Sequence, residues 1–281
     1  MNQPIQPGGR YSVLKACWVH LVMLNYEADP NVLLPLVPPG TLLDSFNGKY
    51  FASVVGFQFR GARLFGIPVP FHQSFEEVNL RFYVRREMAD GPRRGVVFVK
   101  EIVPKPAITW MARTLYNENY VTMPMSHLDE IGTSSRPTVS YGWEMDGRQQ
   151  HVSVTVEGEP CLPDDDSEET FITEHYYGYC KQRNGTTLEY RVEHPRWNVW
   201  RATSSELDCD VAGTYGHIFA PFLNSPPASA FLADGSAVQI RPGSKVNSIG
   251  DKLVQSRDRL CQLSKSRLTF PSISFRRELN G

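Results

Sequence analysis

Residues 75–87 read FEEVNLRFYVRRE. Successive side chains of an extended strand point to opposite faces. Glu77, Asn79, Arg81 and Tyr83 would then share one face, with Val78, Leu80, Phe82 and Val84 on the other. The apolar row needs a packing partner. The polar row faces either solvent or the inside of a barrel, and that choice governs what the strand is for. A carboxylate, an amide and a guanidinium at alternate positions suit a small polar ligand, Arg81 clamping a carboxylate and Glu77 handling a proton. Periodicity alone favours the solvated face, where an Arg–Glu pair contributes roughly a few tenths of a kcal/mol.

The same period of two recurs along the chain. Phe51, Val55, Phe57 and Phe59 fall on one face of 50–60, with Gln58 and Arg60 on the other. Val97, Val99 and Val103 are expected to share a face over 95–103, as are Val139, Tyr141, Trp143 and Met145 over 138–145. Val152, Val154 and Val156 alternate with polar residues in 151–157, and Leu188, Tyr190 and Val192 do so in 186–194. Repeats of this kind mark half-buried antiparallel strands. Asn47-Gly48, Asp90-Gly91-Pro92, Asp146-Gly147 and Asn184-Gly185 supply turns between them.

Helical signals are few. Asp29 followed by Pro30 opens a short helix through Leu36. Pro106 to Asn117 carries Ile108, Met111, Ala112 and Leu115 at helical spacing. A third helix is expected over 167–181, behind an acidic first turn.

A chain of 281 residues with 41% hydrophobic and 21% charged residues can bury a sizeable core. Its net charge of −1 gives no reason to expect a nucleic-acid or membrane partner. Five cysteines, odd in number and never in CxxC, fit free thiols in a reducing compartment. The opening MNQPIQPGGRYSVLK has no apolar core of signal-peptide length, and no apolar run is long enough to span a bilayer. The expected location is cytoplasmic. From Ser244 onward eight Lys/Arg stand against three Asp/Glu, a basic tail.

Three stretches carry a resemblance: WVHLVMLNYEADPNVLLPLVPPGTLLDSFNGKYF at 18–51, the strand at 75–87, and PAITWMARTLYNENYVTMPM at 106–125. Together they resemble the YqjF-like family of unknown function (domain of unknown function 2071), within the acetoacetate decarboxylase-like superfamily. Phe171-Ile172-Thr173-Glu174 and His194-Pro195-Arg196-Trp197 also match the YqjF-like pattern. The resemblance implies a mainly β (α+β) fold, an antiparallel β-barrel or sandwich with a few covering helices, over residues 10–245. Residues 246–281 would be a poorly ordered basic extension. It also implies that Glu77 lines an enclosed cavity, although a slip of one residue would put Glu76 there instead.

In acetoacetate decarboxylase a stretch like Ala112–Tyr116 precedes a lysine pair, the first of which forms an imine with substrate. Here Tyr120-Val121 stands in that place, and neither side chain can form an imine. Lys100 and Lys105 flank the helix and are read as solvated. The resemblance therefore implies a cavity without the defining reaction. Glu77, Asn79, Arg81, Arg113, Tyr116 and Tyr120 are the candidate ligand contacts for a small carboxylate- or carbonyl-containing molecule. Glu77 as base, with Tyr120 or His194 as acid, are the candidate catalytic groups for an alternative lyase- or hydrolase-like activity. The histidines are too scattered for a metal pair, and GxSxG, GxGxxG and P-loop patterns are missing. Neither a metal nor a cofactor is expected, and homo-oligomerisation is left open.

Overall fold

The computed structural model describes residues 12–68 and 70–246. The basic stretch from Asn247, Cys261 within it, and residues 1–11 lie outside the described residues. The described chain is dominated by strands: β1 (Leu14–Glu27), β2 (Leu42–Leu43), β3 (Phe51–Leu64), β4 (Ile67–Pro68) and β5 (Phe75–Arg86) come first. Then follow β6 (Arg93–Val103), β7 (Tyr120–Thr122), β8 (Met125–Asp129), β9 (Thr138–Met145) and β10 (Arg148–Val156). The series ends with β11 (Tyr177–Lys181), β12 (Thr187–Glu193), β13 (Val199–Asp208), β14 (Ser229–Ile240) and β15 (Ser244–Lys245). Helices are short: α1 (Pro30–Leu33), α2 (Pro106–Leu115), α3 (Glu168–Thr173), α4 (Val211–Thr214) and α5 (Ala220–Leu223). Among the described residues no helix is long and apolar enough to cross a membrane.

The strands form one mixed sheet, mostly antiparallel, with β6 parallel to both β7 and β11. Its path runs β12-β11-β6-β5-β3-β1-β14, and β12 then pairs with β14 through Val192–Ile240 and Glu193–Gln239. Seven strands thus close into a barrel. From β14 the sheet continues through β13, β10, β9 and β8, a flap that folds back over the outside of the barrel. Two cores result. Val22, Leu24, Val54, Val78, Leu80 and Phe82 on the barrel exterior pack with Tyr141, Trp143, Val152 and Val154 of the flap. Leu21, Phe57, Phe59, Phe75, Tyr83 and Phe231 cluster on the opposite strand faces, inside the barrel.

The sequence explains these elements locally. Asp29 caps α1 by accepting from the Asn31 backbone N–H at 2.8 Å, with Pro30 at the first helical position. Asp146 and Gly147, both at positive φ, make the two-residue turn between β9 and β10. Two expectations need correction. The third helix stops at Thr173, and Tyr177–Lys181 is instead strand β11, paired with β12 on one side and β6 on the other. Its run of Tyr, Gly, Tyr and Cys has strand rather than helix propensity, which the acidic helix start obscures.

The second correction concerns β6. Val97 and Val99 belong to the core under the flap, whereas Val103 belongs to the barrel interior. Leu80 pairs with Lys100 but Arg81 pairs with Phe98, so Val99 is an extra residue in the strand. A bulge of this kind reverses the side-chain alternation beyond it. Asn119 holds the bulge, its side-chain amide donating to the Val99 carbonyl at 2.8 Å.

The barrel also depends on close backbone approach where β6 meets β11. A Cβ on Gly95 would lie 2.5 Å from the Tyr177 carbonyl oxygen, which backbone pairing prevents from yielding. Gly95→Ala is therefore expected to destabilise the protein by about 1–3 kcal/mol, seen as a lower midpoint in urea unfolding. An unchanged midpoint would mean that this seam is looser than drawn.

Candidate functional site

Inside the barrel the polar face of β5 meets a void. Glu77, Asn79 and Arg81 line it, with exposures of 3%, 1% and 8%. Glu76 lies on the other face of the strand, 2.7 Å from His127 Nδ1, which settles the register in favour of Glu77.

Helix α2 forms one wall. Its stripe of Ile108, Met111, Ala112 and Leu115 faces the cavity, continued by Tyr116 at the helix end. Thr109 anchors the helix to β7 through Thr122, hydroxyl to hydroxyl at 2.7 Å. Arg113 falls off the stripe and is exposed on the outer side, beside Asn117 and Arg183, so it does not join the other candidates. The remaining walls are apolar, chiefly Trp18, Phe57, Phe59, Phe75 and Phe98.

The strand after the helix delivers Tyr120, which pairs with Glu101 across the parallel β6–β7 ladder. Tyr120 donates its hydroxyl to Glu77 Oε2 at 3.1 Å, and Asn79 donates to Glu77 Oε1 at 3.0 Å. Two further acids reach the same cavity that sequence reasoning did not assign. Glu101, 2% exposed, is turned inward by the Val99 bulge. Glu118, 7% exposed, accepts from the Tyr190 hydroxyl at 3.0 Å. Tyr190 in turn needs Gly178, where a Cβ would fall 2.1 Å from its ring. For Glu101 the available signal was a carboxylate in an otherwise valine-rich strand. For Glu118 it was the run Asn-Glu-Asn just before the Tyr120 strand.

Three carboxyls in one apolar enclosure cannot all ionise freely. Burial pushes Glu77 up to about 7, against the lowering pull of the Asn79 and Tyr120 hydrogen bonds and of Arg81. Glu118 also rises to about 7 through burial, opposed by its bonds from Tyr190 and Cys180. Glu101 rises well above the usual carboxylate range, from burial first and then from the charges of Glu118 and Glu77. Three buried side-chain atoms of cavity-lining residues have no hydrogen-bond partner among the described residues: Asn79 Oδ1, Arg81 Nε and Glu101 Oε2. Such groups are unfavourable unless something occupies the space before them.

The other sequence candidates sit elsewhere. His194 is clamped between Trp197, stacked at 4.1 Å, and Tyr176 at 4.8 Å, and does not line the cavity. Burial lowers its imidazole to about 4, so it is neutral at physiological pH. Its Nδ1 is 2.9 Å from the Pro195 carbonyl, a loop-holding contact. Lys100 leaves the barrel on the flap side, where it donates to the Thr214 carbonyl. Among the described residues no lysine lines the cavity.

A profile of uncharacterised conserved proteins, DUF2071, matches residues 15–237. The chain belongs to this family. It is 23% identical over 203 residues to the uncharacterised protein YqjF of Bacillus subtilis (strain 168), covering 71% of this chain and 78% of that one. Among solved structures, the enduracididine biosynthesis enzyme MppR complexed with pyruvate superposes with a TM-score of 0.60 at 13% identity, over 88% of this chain and 93% of that one. Acetoacetate decarboxylase from Legionella pneumophila gives 0.58 at 12% identity, over 88% and 94%. An acetoacetate decarboxylase-like enzyme from Sphingomonas wittichii RW1 gives 0.59 at 13% identity, over 89% and 99%. The DUF2071 chain therefore has the acetoacetate decarboxylase-like fold.

The raised acids carry a stability signature. A carboxyl that holds its proton to higher pH when folded favours the folded state below its unfolded value, and that advantage fades as pH rises to its folded value. For Glu77 and Glu118 the window runs from about 4.5 to about 7. Glu118→Gln is thus expected to raise the melting temperature at pH 8 and to change it little at pH 5. Equal shifts at both pH values would contradict the buried-acid account.

Proposed function

We propose that this protein binds a small molecule with a carboxylate or carbonyl head and an apolar body, without forming an imine. The observation that carries the reading is Arg81. It is a buried guanidinium whose Nε has no partner among the described residues, beside an acid already engaged by Asn79 and Tyr120, in a cavity walled mostly by aromatic and aliphatic groups. A carboxylate placed there would satisfy the guanidinium, and the apolar walls would take the rest of the ligand. The pyruvate found with one structural neighbour makes 2-oxo acids the first class to try.

Binding should also take up protons. An anion near Glu77 disfavours its ionised form, so the ligand and a proton on Glu77 support each other. Affinity is expected to be higher at pH 6 than at pH 8, falling at most by about tenfold per pH unit as Glu77 ionises near 7.

The test is a thermal-shift series with pyruvate, 2-oxobutyrate and 4-methyl-2-oxopentanoate on wild type, Arg81→Met and Glu77→Gln. Wild type should be stabilised more by the longer acids, and Arg81→Met should lose the response. Glu77→Gln should flatten its pH dependence. Absence of any shift with these acids and with the matching ketones would remove the reading.

A further inference from the structure

The proposed binding function leaves Glu101 unexplained. A solvated carboxylate on a surface strand requires no account, but this one is 2% exposed and its Oε2 has no partner among the described residues. It reaches the cavity only because one extra residue, Val99, reverses β6, and that bulge is held by Asn119. Tyr120 donates to Glu77 Oε2 and is the ladder neighbour of Glu101 across β6 and β7. One acid bonded on both oxygens and one whose Oε2 has no partner among the described residues thus flank a tyrosine, near the Arg81 guanidinium.

We propose that the cavity catalyses enolisation of a carbonyl compound bearing a carboxylate, with Glu77 as the base and Glu101 as the acid that protonates the carbonyl oxygen. This rests on the binding reading above and names the chemistry of the same site. Glu77 removes a proton from the carbon next to the carbonyl. The C–H electron pair becomes the new C=C bond, and the carbonyl π pair moves to oxygen, which takes the proton of Glu101. The product is an enol, with Glu77 now protonated and Glu101 ionised, and the reverse step restores the ketone. No oxidant, reductant or metal enters the balance.

Chemical logic favours Glu101 as the donor. A carboxylic acid kept neutral by an apolar site can donate a hydrogen bond to a developing enolate where an ionised one cannot. Burial raises both acids, but Asn79, Tyr120 and Arg81 favour the charged form of Glu77, whereas the charges of Glu118 and Glu77 further oppose ionisation of Glu101. The cavity thereby supplies by acid–base means the carbonyl activation that a lysine imine supplies elsewhere. The other titratable groups facing this pair are Tyr116, Glu118, Tyr190 and Cys180, of which Glu118 is engaged by Tyr190.

The experiment is proton NMR of 2-oxobutyrate in D2O with the intact protein, following loss of the C3 proton signal, while ligand-induced thermal shift is recorded on the same samples. Wild type should exchange C3 protons catalytically, with a rate that rises as Glu77 ionises and falls at higher pH as Glu101 does. Glu77→Gln should lower the rate by about 100-fold or more and Glu101→Leu similarly, with Glu101→Gln retaining part of the rate as a neutral donor. Borohydride should trap no adduct. Binding without exchange by wild type overturns the proposal and leaves the binding reading intact. Absence of binding removes both. Full exchange in Glu101→Leu, or a rate that rises with pH without a maximum, overturns the acid role of Glu101 and needs no variant beyond the wild type for the second reading.

Discussion

Two residue pairs, Val192 with Ile240 and Glu193 with Gln239, convert a long sheet into a closed barrel. Everything else about the site follows from that closure. A closed sheet has an inside, and side chains on one face of each strand must fill it or leave a void. Here aromatic side chains fill the part around Phe57, Phe59, Phe75 and Phe231, and the polar face of β5 borders the part left empty. An open sheet would have left Glu77, Asn79 and Arg81 in water, where their mutual interactions would be weak. Enclosure in low dielectric is what raises all three glutamates above the usual carboxylate range.

Much of this architecture was legible in the residues. The alternation in β3, β5, β9 and β10 is clean because each has one face against the flap core or the barrel interior, and the turns carry Asn-Gly or Asp-Gly where the backbone needs positive φ. The stripe of Ile108, Met111, Ala112 and Leu115 was read correctly as an amphipathic face, although nothing in its spacing says that it faces a void rather than a packed core. Glu77 was singled out by family resemblance. Periodicity by itself could not distinguish a barrel interior from a solvated face, because closure is set by a pairing between positions distant in sequence, Val192 with Ile240 and Glu193 with Gln239.

What failed did so for local reasons. A period-two reading presumes an uninterrupted ladder, and one extra residue at Val99 moved Glu101 to the cavity side and Lys100 to the flap side. The bulge depends on the Asn119 amide, from a different element, so the strand sequence does not announce it. Arg113 was grouped with Tyr116 and Tyr120 because Ala112–Tyr116 resembles the decarboxylase stretch, yet helix geometry directs it outward. His194 drew notice as a titratable group beside a tryptophan, and its ring turns out to be packing material for Trp197 and Tyr176.

The wall made by α2 has a consequence for how such a cavity can change. Ten residues, joined to the barrel mainly through β7, contribute four of the cavity-lining side chains, while Glu77, Asn79, Arg81, Glu101 and Tyr120 come from strands locked in the ladder. Exchanging Met111 or Leu115 for a smaller or larger side chain would reshape the space for a ligand's body without touching the barrel's hydrogen bonds. Size selectivity and head-group recognition are therefore carried by separate parts of the molecule, and the first can drift while the second stays fixed.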